Sequence, residues 1–141
     1  MKALVVEDDF FSRTLLGEML TGYGSVHYAA NGAEALDAVN AAFRSRNQYQ
    51  LICLDIKLPK MDGHQILRKV RELEMQYSLP VEFTPKIIMI SALNDGENVL
   101  GAFREQCDGY LVKPFDENKL RELLTEFHLI DAKEPDSPRN N

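Results

Sequence analysis

Leu51-Ile52-Cys53-Leu54-Asp55-Ile56-Lys57-Leu58-Pro59-Lys60-Met61-Asp62-Gly63 carries the pattern that decides the fold. A strand-length apolar run, Leu51–Leu54, ends in a carboxylate, Asp55. Asp62 before Gly63 signals a helix start, and Ile66, Val70, Leu73 and Tyr77 follow at helical spacing. The same strand-then-helix unit recurs along the chain. Ala3–Val6 precedes Phe11, Leu15 and Met19, with Leu16 and Leu20 beside them; Val26–Ala30 precedes Leu36, Val39 and Phe43. Ile87–Ile90 precedes Val99, Leu100 and Phe103; Tyr110–Val112 precedes Leu120, Leu123, Leu124 and Phe127. Asn31, Asn94-Asp95 and Asp116 mark further helix starts, and Gly22 and Gly24 punctuate the end of the first helix. Five βα units predict an α/β fold, a doubly wound five-stranded parallel sheet with helices on both faces. Three strands are nearly continuous in apolar residues, as double-sided burial requires.

Composition narrows the function classes. The chain has 141 residues, 16 Lys+Arg against 22 Asp+Glu, a net charge of −6 and 45% hydrophobic residues. One domain is expected, over 1–130, with a core large enough to exclude wholesale disorder. The acidic balance argues against direct DNA binding, which needs clustered Lys/Arg. No apolar window is long enough for membrane insertion, and the N-terminus turns acidic before any signal-peptide core could form. Cys53 and Cys107 are too far apart, with no second pair, for a disulfide framework or a zinc site. Two reduced thiols in a cytoplasmic protein are expected. Two segments break the pattern. Met75–Lys86, with Pro80 and Pro85, is a long connection, and 131–141 reads as a flexible tail or truncated linker.

Ligands of open parallel sheets bind beyond the carboxyl ends of the strands. Glu7, Asp8 and Asp9 follow the first strand, Asp55 the third, Ser91 the fourth and Lys113-Pro114 the fifth; the second delivers only Asn31-Gly32. Converging carboxylates need cations to stay ionised. Lys113 supplies one charge, and a hard cation such as Mg²⁺ suits the oxygen donors. Open metal positions beside an ammonium and a hydroxyl would receive a phosphoryl group, and a carboxylate can itself accept it as an aspartyl phosphate.

Leu4-Val5-Val6-Glu7-Asp8-Asp9, the stretch Leu51–Gly63, Met89-Ile90-Ser91-Ala92 and Gly109-Tyr110-Leu111-Val112-Lys113-Pro114-Phe115 together resemble the receiver domain of two-component response regulators. The likeness is to a stand-alone, chemotaxis-regulator-like receiver and runs from about Lys2 to Phe127. The four motifs occur in order, each at the end of a predicted strand. The resemblance implies the flavodoxin-like strand order 2-1-3-4-5. It implies Asp55 as phosphoacceptor, taking the phosphoryl group from a phosphohistidine on a sensor histidine kinase or histidine phosphotransfer protein. Asp8, Asp55 and the backbone carbonyl of Lys57 would ligate Mg²⁺, with Glu7 acting through water or directly. Lys113 would pair with Asp55 and then with the phosphoryl oxygens, and Lys113–Pro114 is the implied cis peptide. Ser91 would bond the arriving phosphoryl group, and Tyr110 would turn inward as the switch aromatic. Asp9 is expected to point away, toward the first helix.

Lys57 and Leu93 flank the position from which water would attack the acyl phosphate, and the expectation is slow self-dephosphorylation. Phe10, grouped with Arg13, Thr14 and Gly17 away from the stripe of Phe11, Leu15 and Met19, is a candidate contact for a phosphodonor helix. The implied protein promotes its own phosphorylation and dephosphorylation and is not a turnover enzyme. Its output would be a phosphorylation-gated surface on the helix carrying Val99–Phe103, the last strand and the last helix, binding a downstream protein not identified by the sequence. A phosphorelay intermediate or phosphate sink is the alternative, and a phosphorylation-dependent homodimer stays open. A haloacid-dehalogenase-like phosphatase would need a second Asp where Lys57 stands. A flavodoxin-like electron carrier would need a phosphate-cradling loop where Glu7-Asp8-Asp9 stands.

Overall fold

A computed structural model describes residues 1–92 and 107–131. The strands are β1 (Lys2–Val6), β2 (Ser25–Ala29), β3 (Leu51–Asp55), β4 (Lys86–Ala92) and β5 (Gly109–Lys113). The helices are α1 (Phe10–Thr21), α2 (Gly32–Ser45), α3 (Gly63–Gln76) and α4 (Glu117–Glu126), and a short 3-10 turn spans Val81–Phe83. The sheet is parallel, in the order β2-β1-β3-β4-β5. The helix expected around Val99, Leu100 and Phe103, its start at Asn94-Asp95, Leu93 and most of the expected tail (132–141) lie outside the described residues.

Strand alternation divides the core into two layers. Leu4, Val6, Ile52, Leu54, Ile87 and Met89 bury on one face with residues of α2 and α3. Ala3, Val5, Leu51, Cys53, Ile88 and Ile90 bury on the other with residues of α1 and α4. The central strands are apolar throughout because each face has its own helical cover. Cys53 is fully buried, and burial pushes its thiol up to about 12, so it sits as an inert core residue.

The helix starts follow the expected chemistry. Asn31 accepts from the Glu34 amide at 2.9 Å, and Asp116 from the Lys119 amide at 3.0 Å. Asp62 and Gln65 form a reciprocal capping box, each bond 3.0 Å. One reading of the helices fails. The expected stripe of α1 is largely outside: Phe11 is 74% exposed and Leu15 48%, while Leu16, Gly17 and Leu20 face the core. Two stripes of equal spacing compete on this helix. The winner uses Gly17, whose missing side chain lets the Tyr28 ring lie directly on the backbone. A count of apolar residues gives glycine no weight, so the sequence favoured the other face.

The amino-terminal edge of the sheet is tied by Asp108. Its carboxylate accepts from the Ile87 amide at 2.8 Å and from Arg71 of α3 at 3.0 Å, and Arg71 also pairs with Glu74 at 2.6 Å. These contacts lock α3 to the start of β4 and β5, at the end of the sheet opposite Asp55.

Candidate functional site

The register of the sheet brings the carboxyl ends of four strands to one rim. Asp55 pairs with Ile90, Ser91 with Val112 and Ala92 with Lys113. Glu7, Asp8 and Asp55 therefore converge, with one carboxylate oxygen of each within 4.8 Å of the others. Glu7 and Asp55 are buried, and Asp8 is exposed. The Lys113 ammonium lies 3.3 Å from Glu7 Oε1 and 3.8 Å from Asp55 Oδ2. The Lys113–Pro114 peptide is cis, as the resemblance implied.

Burial beside a second carboxylate leaves an electrostatic mark on Glu7. Burial, then a hydrogen bond with Asp55, then the Asp55 charge raise Glu7 to about 7; the Asp9 amide and Lys113 offset part of this. One ammonium is too little for three carboxylates. The donor set is all oxygen and partly solvent-facing, which fits a hard divalent cation. Asp9 stands apart, as expected. Its carboxylate caps α1 by accepting from the Ser12 amide at 2.8 Å, and that bond holds it below the usual carboxylate range.

The Lys57 amide donates to Asp55 Oδ1 at 3.2 Å, which orients that carboxylate. Ser91 is buried, and its Oγ finds no hydrogen-bond partner among the described residues. A buried hydroxyl left unsatisfied is costly, and an oxygen-rich ligand at the rim would satisfy it. Tyr110 lies partly buried against the core layer of α2 and α3.

Two residues named from the sequence make contacts there that the motifs did not assign. Gly63 opens α3 directly against the end of β3: a Cβ there would stand 2.6 Å from the Asp55 carbonyl oxygen and 2.8 Å from Ile56 Cα. The Gly63 amide donates to the Ile56 carbonyl at 2.9 Å, so the close approach holds the loop after β3. Arg13 donates to the Glu7 carbonyl at 3.0 Å and lies over the Phe10 ring, 5.6 Å from its centroid. Phe10 is 71% exposed, as anticipated, but Phe11 and Leu15 join it in a wider apolar surface beside the rim.

The family model for the response regulator receiver domain matches residues 3–125. The chain belongs to the response regulator receiver family. It is 32% identical over 125 residues to the chemotaxis protein CheY of Treponema pallidum, covering 87% of this chain and 79% of that protein. It is 35% identical over 127 residues to hybrid signal transduction histidine kinase L of Dictyostelium discoideum, covering 89% of this chain and 7% of that protein. The receiver chain spans less than half the length of the first three curated relatives it matches. Among solved structures, the receiver domain of the histidine kinase CKI1 from Arabidopsis thaliana superposes with a TM-score of 0.78 at 26% identity, over 90% of this chain and 89% of that one. The predicted fold and family membership are thus both established. Among the described residues, no helix is long and apolar enough to cross a membrane.

Proposed function

We propose that this receiver takes a phosphoryl group onto Asp55 from a phosphohistidine of a sensor histidine kinase or histidine phosphotransfer protein. The carrying observation is the rim itself: a buried carboxylate, oriented by a backbone amide, beside an ammonium, two further carboxylates and a buried hydroxyl. An Asp55 oxygen attacks phosphorus, the P–N bond breaks, and the imidazole departs with the electron pair and is protonated. Lys113 neutralises charge on Asp55 and then on the phosphoryl oxygens, and Ser91 donates to one of them. Asp8, Asp55, Glu7 and the Lys57 carbonyl would hold Mg²⁺, which supplies the remaining positive charge.

The exposed Phe10, Phe11 and Leu15 form the contact for an apolar helix of the phosphodonor. Movement of Ser91 toward the phosphoryl group, with Tyr110 filling the vacated volume, would switch a surface for a downstream protein in the cytoplasm. The chain would act as a stoichiometric switch, with no substrate turned over, and Lys57 and Leu93 would slow loss of the phosphoryl group. A relay role is the second reading, favoured by similarity to receivers within histidine kinases. Incubation with acetyl phosphate and Mg²⁺, read by intact mass, tests the chemistry. One phosphate should add to the wild type and none to Asp55→Asn; equal labelling of both refutes the assignment. Back-transfer to a histidine phosphotransfer protein, against phosphorylation-dependent affinity for a target, separates relay from output.

A further inference from the structure

A cavity of about 380 Å³ opens beside the phosphoacceptor, between α1 and the segment after β5. Its walls are predominantly apolar, formed by Leu15 and Leu16 of α1, Ile90 of β4, Pro114 and Phe115; Glu7, Ser12 and Lys113 are the polar residues that line it. Its two ionisable residues belong to the Asp55 cluster: Lys113 is 3.8 Å from Asp55 Oδ2, and a Glu7 carboxylate oxygen lies within 4.8 Å of one of Asp55. The cavity is thus an apolar annex to the phosphoryl site, within the size range of small-ligand pockets. Nothing in aspartyl phosphorylation by itself requires such an annex.

We propose that this cavity binds the acyl chain of a small acyl phosphate, so that the receiver discriminates among low-molecular-weight phosphodonors by chain length. The inference rests on the reading of Asp55 as the acceptor. A ligand that fits must be phosphoryl at one end and apolar at the other. It must also be able to leave. An alkyl phosphate would expel a strongly basic alkoxide and has too low a transfer potential to form an aspartyl phosphate, which is itself an acyl phosphate. A carboxylate is a weakly basic leaving group that needs no proton, and an acyl phosphate matches the transfer potential of the product. In the step, an Asp55 carboxylate oxygen forms a bond to phosphorus as the bond from phosphorus to the acyl oxygen breaks. The acyl carboxylate departs with the electron pair, and no proton moves. The departing chain already lies in the cavity, so its burial assists transfer.

The magnitude follows from burial. A buried methylene is worth about fourfold, and butyryl phosphate carries two more than acetyl phosphate, so about tenfold is expected with incomplete enclosure. The two donors expel carboxylates of closely similar basicity, so intrinsic reactivity is matched. Leu15 is the wall residue to change, because it is half exposed and its substitution leaves the core intact.

The experiment compares initial rates of Asp55 phosphorylation by acetyl and butyryl phosphate, at equal sub-saturating concentration with Mg²⁺, by intact mass. A butyryl-to-acetyl ratio of about ten in the wild type, falling below about three in Leu15→Gln and retained in Thr14→Ala, supports the proposal. Thr14 is exposed on the same helix and does not line the cavity. A wild-type ratio near one overturns it, while labelling by acetyl phosphate keeps the acceptor assignment standing. A high ratio that survives Leu15→Gln, or collapses equally in Thr14→Ala, also overturns it. If no donor labels the wild type, the acceptor assignment fails and this inference with it.

Discussion

Replacing Glu7 by Gln should stabilise the metal-free protein, and the gain should grow with pH. Glu7 is raised from an ordinary 4.5 to about 7, chiefly by burial and by Asp55 beside it. Between these values the native state holds one proton that the unfolded chain has released. Stability therefore falls as pH rises through this window, and the loss is complete above about 7. A shift of roughly 2.5 units at 1.36 kcal/mol per unit amounts to about 3 kcal/mol. For a chain of this length that corresponds to a melting difference of roughly 10 °C. The assay is thermal or urea denaturation of wild type and Glu7→Gln in EDTA at pH 5, 6, 7 and 8. Glu74, also raised by burial, does not touch Glu7 and is common to both proteins, so its contribution cancels in the difference. The variant's advantage should increase by about 2–3 kcal/mol from pH 5 to pH 8. Saturating Mg²⁺ should reverse the order at pH 8, because the ion stabilises the protein that binds it more tightly. Parallel pH profiles in EDTA would refute the argument that Glu7 bears the cost of carboxylate crowding.

Gly63→Ala should lower stability by about 1–3 kcal/mol, since the new methyl meets backbone atoms of Asp55 and Ile56 that have nowhere to go; urea midpoints measure this. Gly17→Ala should stay within about 1 kcal/mol of wild type in the same assay, because Tyr28 is half exposed and can swing out while the helix gains from alanine. Asp108→Ala should cost about 1–3 kcal/mol by leaving the Ile87 amide without its acceptor and Arg71 without one of its partners. Lys113→Ala should slow Asp55 phosphorylation by acetyl phosphate about a hundredfold or more at fixed Mg²⁺, followed by intact mass; a rate within threefold of wild type would remove the ammonium from the chemistry.

The parts of this molecule that were legible in the sequence are those where a local signal and the global requirement coincide. Leu51–Leu54 is apolar because both faces of β3 are covered, and Asp55 is polar because the strand ends there at the open rim. The caps Asn31, Asp62 and Asp116 are readable because the orphan amides of a first turn need an oxygen whatever the tertiary context. The acidic cluster follows from the same logic: once the strands are parallel, residues that end different strands share one edge. The rest depends on shape, which composition does not encode. The buried face of α1 includes Gly17, a residue with no side chain, against whose backbone the Tyr28 ring lies. The ties from Asp108 to Arg71 span 37 positions and look like ordinary surface charges until β5 is placed beside β4. The misread face of α1 also has a functional meaning. Turning Leu16 and Leu20 inward sends Phe10, Phe11 and Leu15 outward, where large apolar side chains are a liability unless something covers them. One substitution separates that surface from the cavity behind it. Phe11→Ser should weaken transfer from a phosphohistidine protein several-fold, while the butyryl-to-acetyl ratio with small donors stays near its wild-type value. If both readouts fall together, Phe11 is holding α1 in place and the outer surface and the inner cavity are not separate determinants.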